Sequence, residues 1–139
     1  MKKILLLLAT VAVMYSCGST QKEVSIKSIA GEWNIVTVDG KVLAPAEEIP
    51  FIGFNIADTL VYGSTGCNQL TGTLNADAET GTIDFSALGS TRRMCADMQT
   101  EETVLGALAR VKSFNIATGG KLQLLDADKK TVVELELRK

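Results

Sequence analysis

The chain of 139 residues has the length of a single domain and carries 14 basic against 16 acidic residues, three cysteines and no histidine. Without histidine, Ser-His-Asp and Cys-His catalysis are excluded in their usual form, and a zinc site would have to be built from cysteines and carboxylates alone. The acidic balance argues against nucleic acid, whose binders concentrate positive charge to displace counterions; an enzyme is disfavoured and no cofactor is expected.

Met1-Lys2-Lys3 is a basic start, Ile4 to Val13 is an apolar run too short to span a bilayer as a helix, and Met14-Tyr15-Ser16-Cys17 follows directly. The arrangement resembles a bacterial lipoprotein signal, in which residues 1–16 are removed and the Cys17 thiol receives a diacylglycerol. Met14 and Tyr15 depart from the leucine and small residue usual there. An ordinary secretory signal cut nearby, or a short buried apolar segment, is the alternative. Several acyl chains on one cysteine give stable anchoring, so the membrane is an expected partner. Gly18, by the same resemblance, favours the outer membrane as the location. Residues 17–29 are then a lipidated N-terminus and polar tether, and residues 30–139 are the domain.

Gly31 to Val38 is rich in β-branched and aromatic residues and ends at Asp39-Gly40, which predicts a strand and a turn. Trp33, the only tryptophan, is expected as a core or edge anchor. Lys41 to Pro50 holds both prolines and the Glu47-Glu48 pair, so it reads as a solvated connecting loop. Phe51–Ile56 and Thr59–Gly63 predict a hairpin. Gly66-Cys67-Asn68 predicts a tight bend feeding a strand from Gln69, with Leu70, Gly72 and Leu74 on one face. Asn68 is a candidate ligand-binding residue, against the alternative that it only shapes the bend.

Residues 75–81 read as a polar turn, and Thr82 to Ser86 as a strand with Ile83 and Phe85 inward. Leu88 to Met94 is short and extended and leads to Cys95. Arg92 and Arg93 are candidate ligand-binding cations; in a strand they would face opposite sides, leaving at most one for an anionic pocket. Residues 97–111 predict a helix, with Val104, Leu108 and Val111 as its apolar stripe, Leu105 widening it, and Asp97 or Thr100 as cap. Glu101 and Glu102 fall in its first turn, where the helix dipole favours negative charge. Ser113–Ala117, Leu122–Leu124 and Val133–Leu137 alternate as strands. Asp126 and Asp128 fit a hairpin tip, since the glycine and distal glutamate of a calcium loop are missing, and no metal site is predicted. The fold class is α+β: a compact, mostly antiparallel, partly barrel-like sheet of about eight short strands with one helix.

In an oxidising envelope the two cysteines left after Cys17 are expected to pair, which makes Cys67 and Cys95 a candidate disulfide. A reactive or metal-binding thiol pair is the alternative, and no histidine is present to activate a thiolate.

Gly66-Cys67-Asn68, then Gly72, Thr91-Arg92-Arg93-Met94-Cys95, Met98, Glu101, the helix from Leu105 to Val111 and Leu122-Gln123-Leu124 together resemble the META domain of the heat-shock protein HslJ and related envelope lipoproteins. The resemblance covers Ala30 to Leu137; Arg93 stands where that family often carries an apolar residue. It implies a mostly antiparallel domain without known catalytic apparatus, in a family linked to heat shock, novobiocin tolerance and secretion or virulence. The expected function is that of a non-enzymatic, lipid-anchored envelope domain acting in stress or antibiotic tolerance by binding a protein or small molecule. A thiol-disulfide redox protein using Cys67 and Cys95, and a purely structural lipoprotein, are the alternatives.

Overall fold

The β-branched run Gly31–Val38 forms strand β1 with the expected bounds. In this computed structural model, which describes residues 25–139, β1 lies near the middle of an eleven-stranded antiparallel sheet. The other strands are β2 (Lys41–Val42), β3 (Phe51–Asn55), β4 (Leu60–Ser64), β5 (Gln69–Thr73), β6 (Asn75–Asp77), β7 (Thr82–Asp84), β8 (Gly89–Ser90), β9 (Ser113–Ile116), β10 (Leu122–Leu125) and β11 (Thr131–Leu137). Helix α1 (Gln99–Leu108) is inserted between β8 and β9. The strand order is β6-β7-β9-β10-β11-β1-β3-β4-β5-β8, with β2 paired to β1 off this path. The sheet curls into a half-barrel, and α1 packs against β1 and β11 at its middle.

Two register shifts set which side chains face inward. On β1, Trp33 and Ile35 are buried, but between Ile35 and Thr37 the pairing with β11 slips by one residue, and the next buried side chain is Val38. Such a bulge exchanges the two faces of a strand. On β11 the same device places Val132 outside the ladder with β10, so Val132 and Val133 are both buried although adjacent. Leu122, Leu124 and Leu135 complete the inward layer, and Val104, Ala107 and Leu108 of α1 close over it together with Val111. Gly63 on β4 lies beside Ile52 of β3, where a Cβ would collide with the Phe51 carbonyl oxygen. Only glycine lets these two backbones meet at that point.

Several expectations need correction. Strands β2, β6 and β8 lie in segments read as loop, turn or merely extended chain, and with two or three residues each they are too short to show a period. β2 exists because Asp39 and Gly40 take φ of 50° and 75°, the two-residue turn that folds Lys41 back onto Val38. Residues 26–29, expected in the tether, form a short 3-10 helix whose Ile29 is fully buried and whose carbonyl accepts from Trp33 Nε1 at 2.8 Å. The domain therefore extends ahead of Ala30, at least to Ser25. Helix α1 is shorter than residues 97–111, because Asp97 binds the Gln99 N–H and the Thr100 hydroxyl from just outside it. Leu137, expected inward, is exposed at the strand end. The signal segment and Cys17 lie outside the described residues.

Candidate functional site

Between β4 and β5, Thr65-Gly66-Cys67-Asn68 is a closed loop, with the Thr65 N–H donating to the Asn68 carbonyl at 2.9 Å. Gly66 has φ of 101°, a conformation costly for any residue with a Cβ. Pro50 and Thr100 of α1 flank this glycine, so the loop is wedged between the entry to β3 and the start of the helix. Sequence and packing thus fix the bend before any side chain is considered.

Cys67 and Cys95 are joined in a disulfide with Cα atoms 6.0 Å apart, which ties the bend to the segment entering α1. Asn68 is 2 % exposed, and its carboxamide is committed on both sides. Its Oδ1 accepts from the Thr91 hydroxyl at 2.8 Å and from the Arg93 N–H at 2.6 Å. Its Nδ2 donates to the Arg93 carbonyl at 3.2 Å and to Glu101 Oε1 at 3.1 Å. By bonding the N–H and C=O of one residue, Asn68 acts as a strand partner would, and it holds the chain at Arg93 where β8 has already ended.

Glu101 and Glu102 both lie in the first turn of α1, as expected, but Glu101 is 3 % exposed while Glu102 is exposed, a difference the dipole argument does not predict. Its Oε2 accepts from the Thr65 hydroxyl and, at 3.2 Å, from the Asn68 N–H, and its Oε1 from Asn68 Nδ2. No lysine or arginine pairs with it among the described residues; three donors and the N-terminal turn of α1 stabilise the buried carboxylate instead. A signal for this burial existed: Glu101 precedes Val104, Leu108 and Val111 by three, seven and ten residues, so it lies on the apolar stripe.

The structure brings together Cys67, Cys95, Asn68 and the backbone of Arg93, but not the guanidinium groups. Arg92 and Arg93 are both exposed, because residues 91–95 are not a strand and the alternation expected to separate them does not apply. Neither Asn68 nor either arginine lines a groove of about 550 Å³ whose walls include Asn34, Glu48, Ile49 and Leu137. There Asn34 Oδ1 is buried without a hydrogen-bond partner among the described residues. Perturbed titrations lie elsewhere: burial and the neighbouring Glu32 raise the Tyr62 phenol, and the Lys121 ammonium lowers the Glu134 carboxyl. At the β10–β11 hairpin, Asp126 accepts from the N–H groups of Asp128 and Lys130 and so shapes the tip.

The arrangement at the bend ties three elements together and leaves its polar groups bonded to one another. Residues 25–139 match the family model of the META domain. Three solved structures share the fold. One, determined by NMR, is 23 % identical over 80 % of this chain and 92 % of its own, with a TM-score of 0.61. An NMR structure of a protein from Burkholderia xenovorans is 20 % identical over 81 % of this chain and 86 % of its own, with a TM-score of 0.60. The crystal structure of a DUF4847 family protein from Bacteroides vulgatus is 19 % identical over 81 % of this chain and 95 % of its own, with a TM-score of 0.54. Among curated proteins no match was found.

Proposed function

The chain belongs to the META domain family, and from that premise we propose that it is a non-enzymatic, lipid-anchored envelope domain that supports stress or antibiotic tolerance by binding a protein or small molecule. The observation that carries this reading is how the bend disposes of its chemistry. Cys67 is spent in the disulfide, and Thr65, Asn68 and Glu101 saturate one another. A group held this way serves to position a surface, whereas catalysis needs one free to meet a reacting atom. The anchor rests on the lipoprotein-like run ending at Cys17, and the link to stress on the family resemblance.

Mass spectrometry of the protein isolated from membranes tests the anchor: a diacylglycerol on Cys17 is expected, and an unmodified or absent Cys17 without acyl chains overturns it. Crosslinking in intact cells under heat or antibiotic stress is expected to recover a reproducible partner. Turnover in a broad hydrolase or redox screen, lost on Cys67→Ser, would overturn the non-enzymatic part. The alternative, thiol-disulfide exchange through Cys67 and Cys95, draws on a single observation: Cys95 is half-buried, whereas Cys67 is buried.

A further inference from the structure

The segment Arg92-Arg93-Met94 is held from both sides while its side chains point away from the domain. On one side the Thr91 N–H donates to the Gln69 carbonyl at 3.1 Å, and Thr91 Oγ1 accepts from the Gln69 N–H at 3.0 Å. In the middle Asn68 bonds both backbone groups of Arg93. On the other side Cys95 is fixed by the disulfide, and its N–H lies 3.4 Å from Met98 Sδ. A backbone ordered in advance loses little entropy when its side chains bind something.

Those side chains are an unusual trio. Met94 is 88 % exposed, the most exposed large apolar side chain among the described residues. Arg110 and Arg138 pair with Asp39 and Glu32, whereas Arg92 and Arg93 have no ion-pair partner among the described residues. The neighbouring acid, Asp97, is occupied at the start of α1. An exposed apolar side chain directly after two unpaired arginines matches the layering of a membrane surface, with phosphates outermost and hydrocarbon beneath.

We propose that Arg92, Arg93 and Met94 form a membrane-docking tip, with the guanidinium groups on anionic lipid phosphates and Met94 entering the headgroup–acyl boundary. The chain as a whole is acidic, with 14 basic against 16 acidic residues, so the tip selects one orientation rather than general adhesion. Two arginines and one methionine are too weak to hold a soluble protein but sufficient to orient a tethered one, and in this respect the proposal rests on the anchored reading.

The test uses the full chain carrying Met94→Trp, with Val42→Trp on β2 as the control probe. It is placed on vesicles by its own acyl groups or, if Cys17 is unmodified, through a maleimide lipid at Cys17, the one cysteine outside the disulfide. Trp33 is buried and gives a constant background. Brominated phosphatidylcholine containing phosphatidylglycerol is expected to quench the probe at position 94 but not the one at position 42. Each of Arg92→Gln and Arg93→Gln is expected to lower the docked fraction about fivefold. Equal quenching of both probes, equal quenching on purely zwitterionic vesicles, or indifference to both arginine replacements overturns the tip. Release by millimolar inorganic phosphate at constant ionic strength would assign the arginines to a soluble anion and also overturn it. Absence of acyl chains on Cys17 would sink the anchored reading alone, because the maleimide lipid still presents the tip to the membrane.

Discussion

Replacing Glu101 by Gln keeps shape and volume but removes the negative charge and the ability of both oxygens to accept. In the folded chain Oε2 faces two donors, the Thr65 hydroxyl and the Asn68 N–H, and Oε1 faces a third, Asn68 Nδ2. Whichever way the new amide turns, its NH₂ group meets a donor. If it points at Thr65, that hydroxyl can turn to the Asn68 carbonyl, 3.2 Å away, while the Asn68 N–H keeps only a 3.3 Å contact with Thr65 Oγ1. If it points at Asn68 Nδ2, two NH₂ groups face each other without water. Losing one charge-assisted bond and leaving one buried donor unsatisfied gives an expected cost of about 2–4 kcal/mol. With a urea dependence of about 2 kcal/mol/M, the middle of the range for small domains, the unfolding midpoint should fall by about 1–2 M without a change in slope. Glu102→Gln, on the exposed side of the same turn, should change stability by less than about 0.5 kcal/mol. A Glu101→Gln protein as stable as the Glu102→Gln control would refute the claim that this carboxylate organises the bend.

Leu108 is 3 % exposed on the face of α1 that meets the sheet, so Leu108→Ala should cost about 2–5 kcal/mol in chemical denaturation, and a change under about 0.5 kcal/mol would remove it from the core. Gly106 is exposed in the same helix with no atom within 4 Å of a would-be Cβ, so Gly106→Ala should stabilise by about 0.5–1 kcal/mol, and a destabilised variant would contradict the open space around it. The hydrogen bonds from Ser86 and the Lys112 ammonium hold the Asp84 carboxyl well below its ordinary 3.8. A lowered folded-state value means the contribution is complete above the ordinary value and is lost as pH falls through the lower one. Asp84→Asn should therefore weaken the acid dependence of stability below about pH 4, and thermal melts that fall with acid as steeply as before would refute this role.

The sheet was legible wherever a strand ran long enough for alternation to show. Gly31–Val38 is the clearest case, while β6 and β8 are held by pairing with neighbours that no local pattern announces, and β2, directly after the Asp39-Gly40 turn, is too short to show a period. The bulge on β1 was invisible for a related reason: it answers to the partner β11, and the sequence around Val36 is as β-branched as the rest of the strand. Asn68 was expected as a ligand candidate or as a shaper of the bend, and its buried carboxamide bonds to two distant stretches of chain, Thr91 to Arg93 and Glu101 in α1, which a reading of Gly66-Cys67-Asn68 alone does not reveal. The first-turn place of Glu101 was legible, but its burial was not, because a charged side chain on the apolar stripe reads as surface. Burial of a carboxylate becomes affordable only once Thr65 and Asn68 arrive from thirty-odd residues away. The separation of Arg92 from Arg93 rested on a strand period in a segment fixed by side-chain bonds and a disulfide, where no period operates.

If Cys67–Cys95 is a staple for the bend rather than an exchangeable redox couple, its reduction must be both difficult and destabilising. Titrating the full chain through a series of thiol buffers, with labelling of free thiols and urea unfolding at each point, tests both halves at once. The bridge spans 28 positions, for which the chain-entropy estimate is about 3.6 kcal/mol lost on reduction. A reduction potential below about −300 mV is expected, together with destabilisation of about that size. A potential near the roughly −180 to −230 mV of exchange proteins, with stability unchanged on reduction, would contradict the staple.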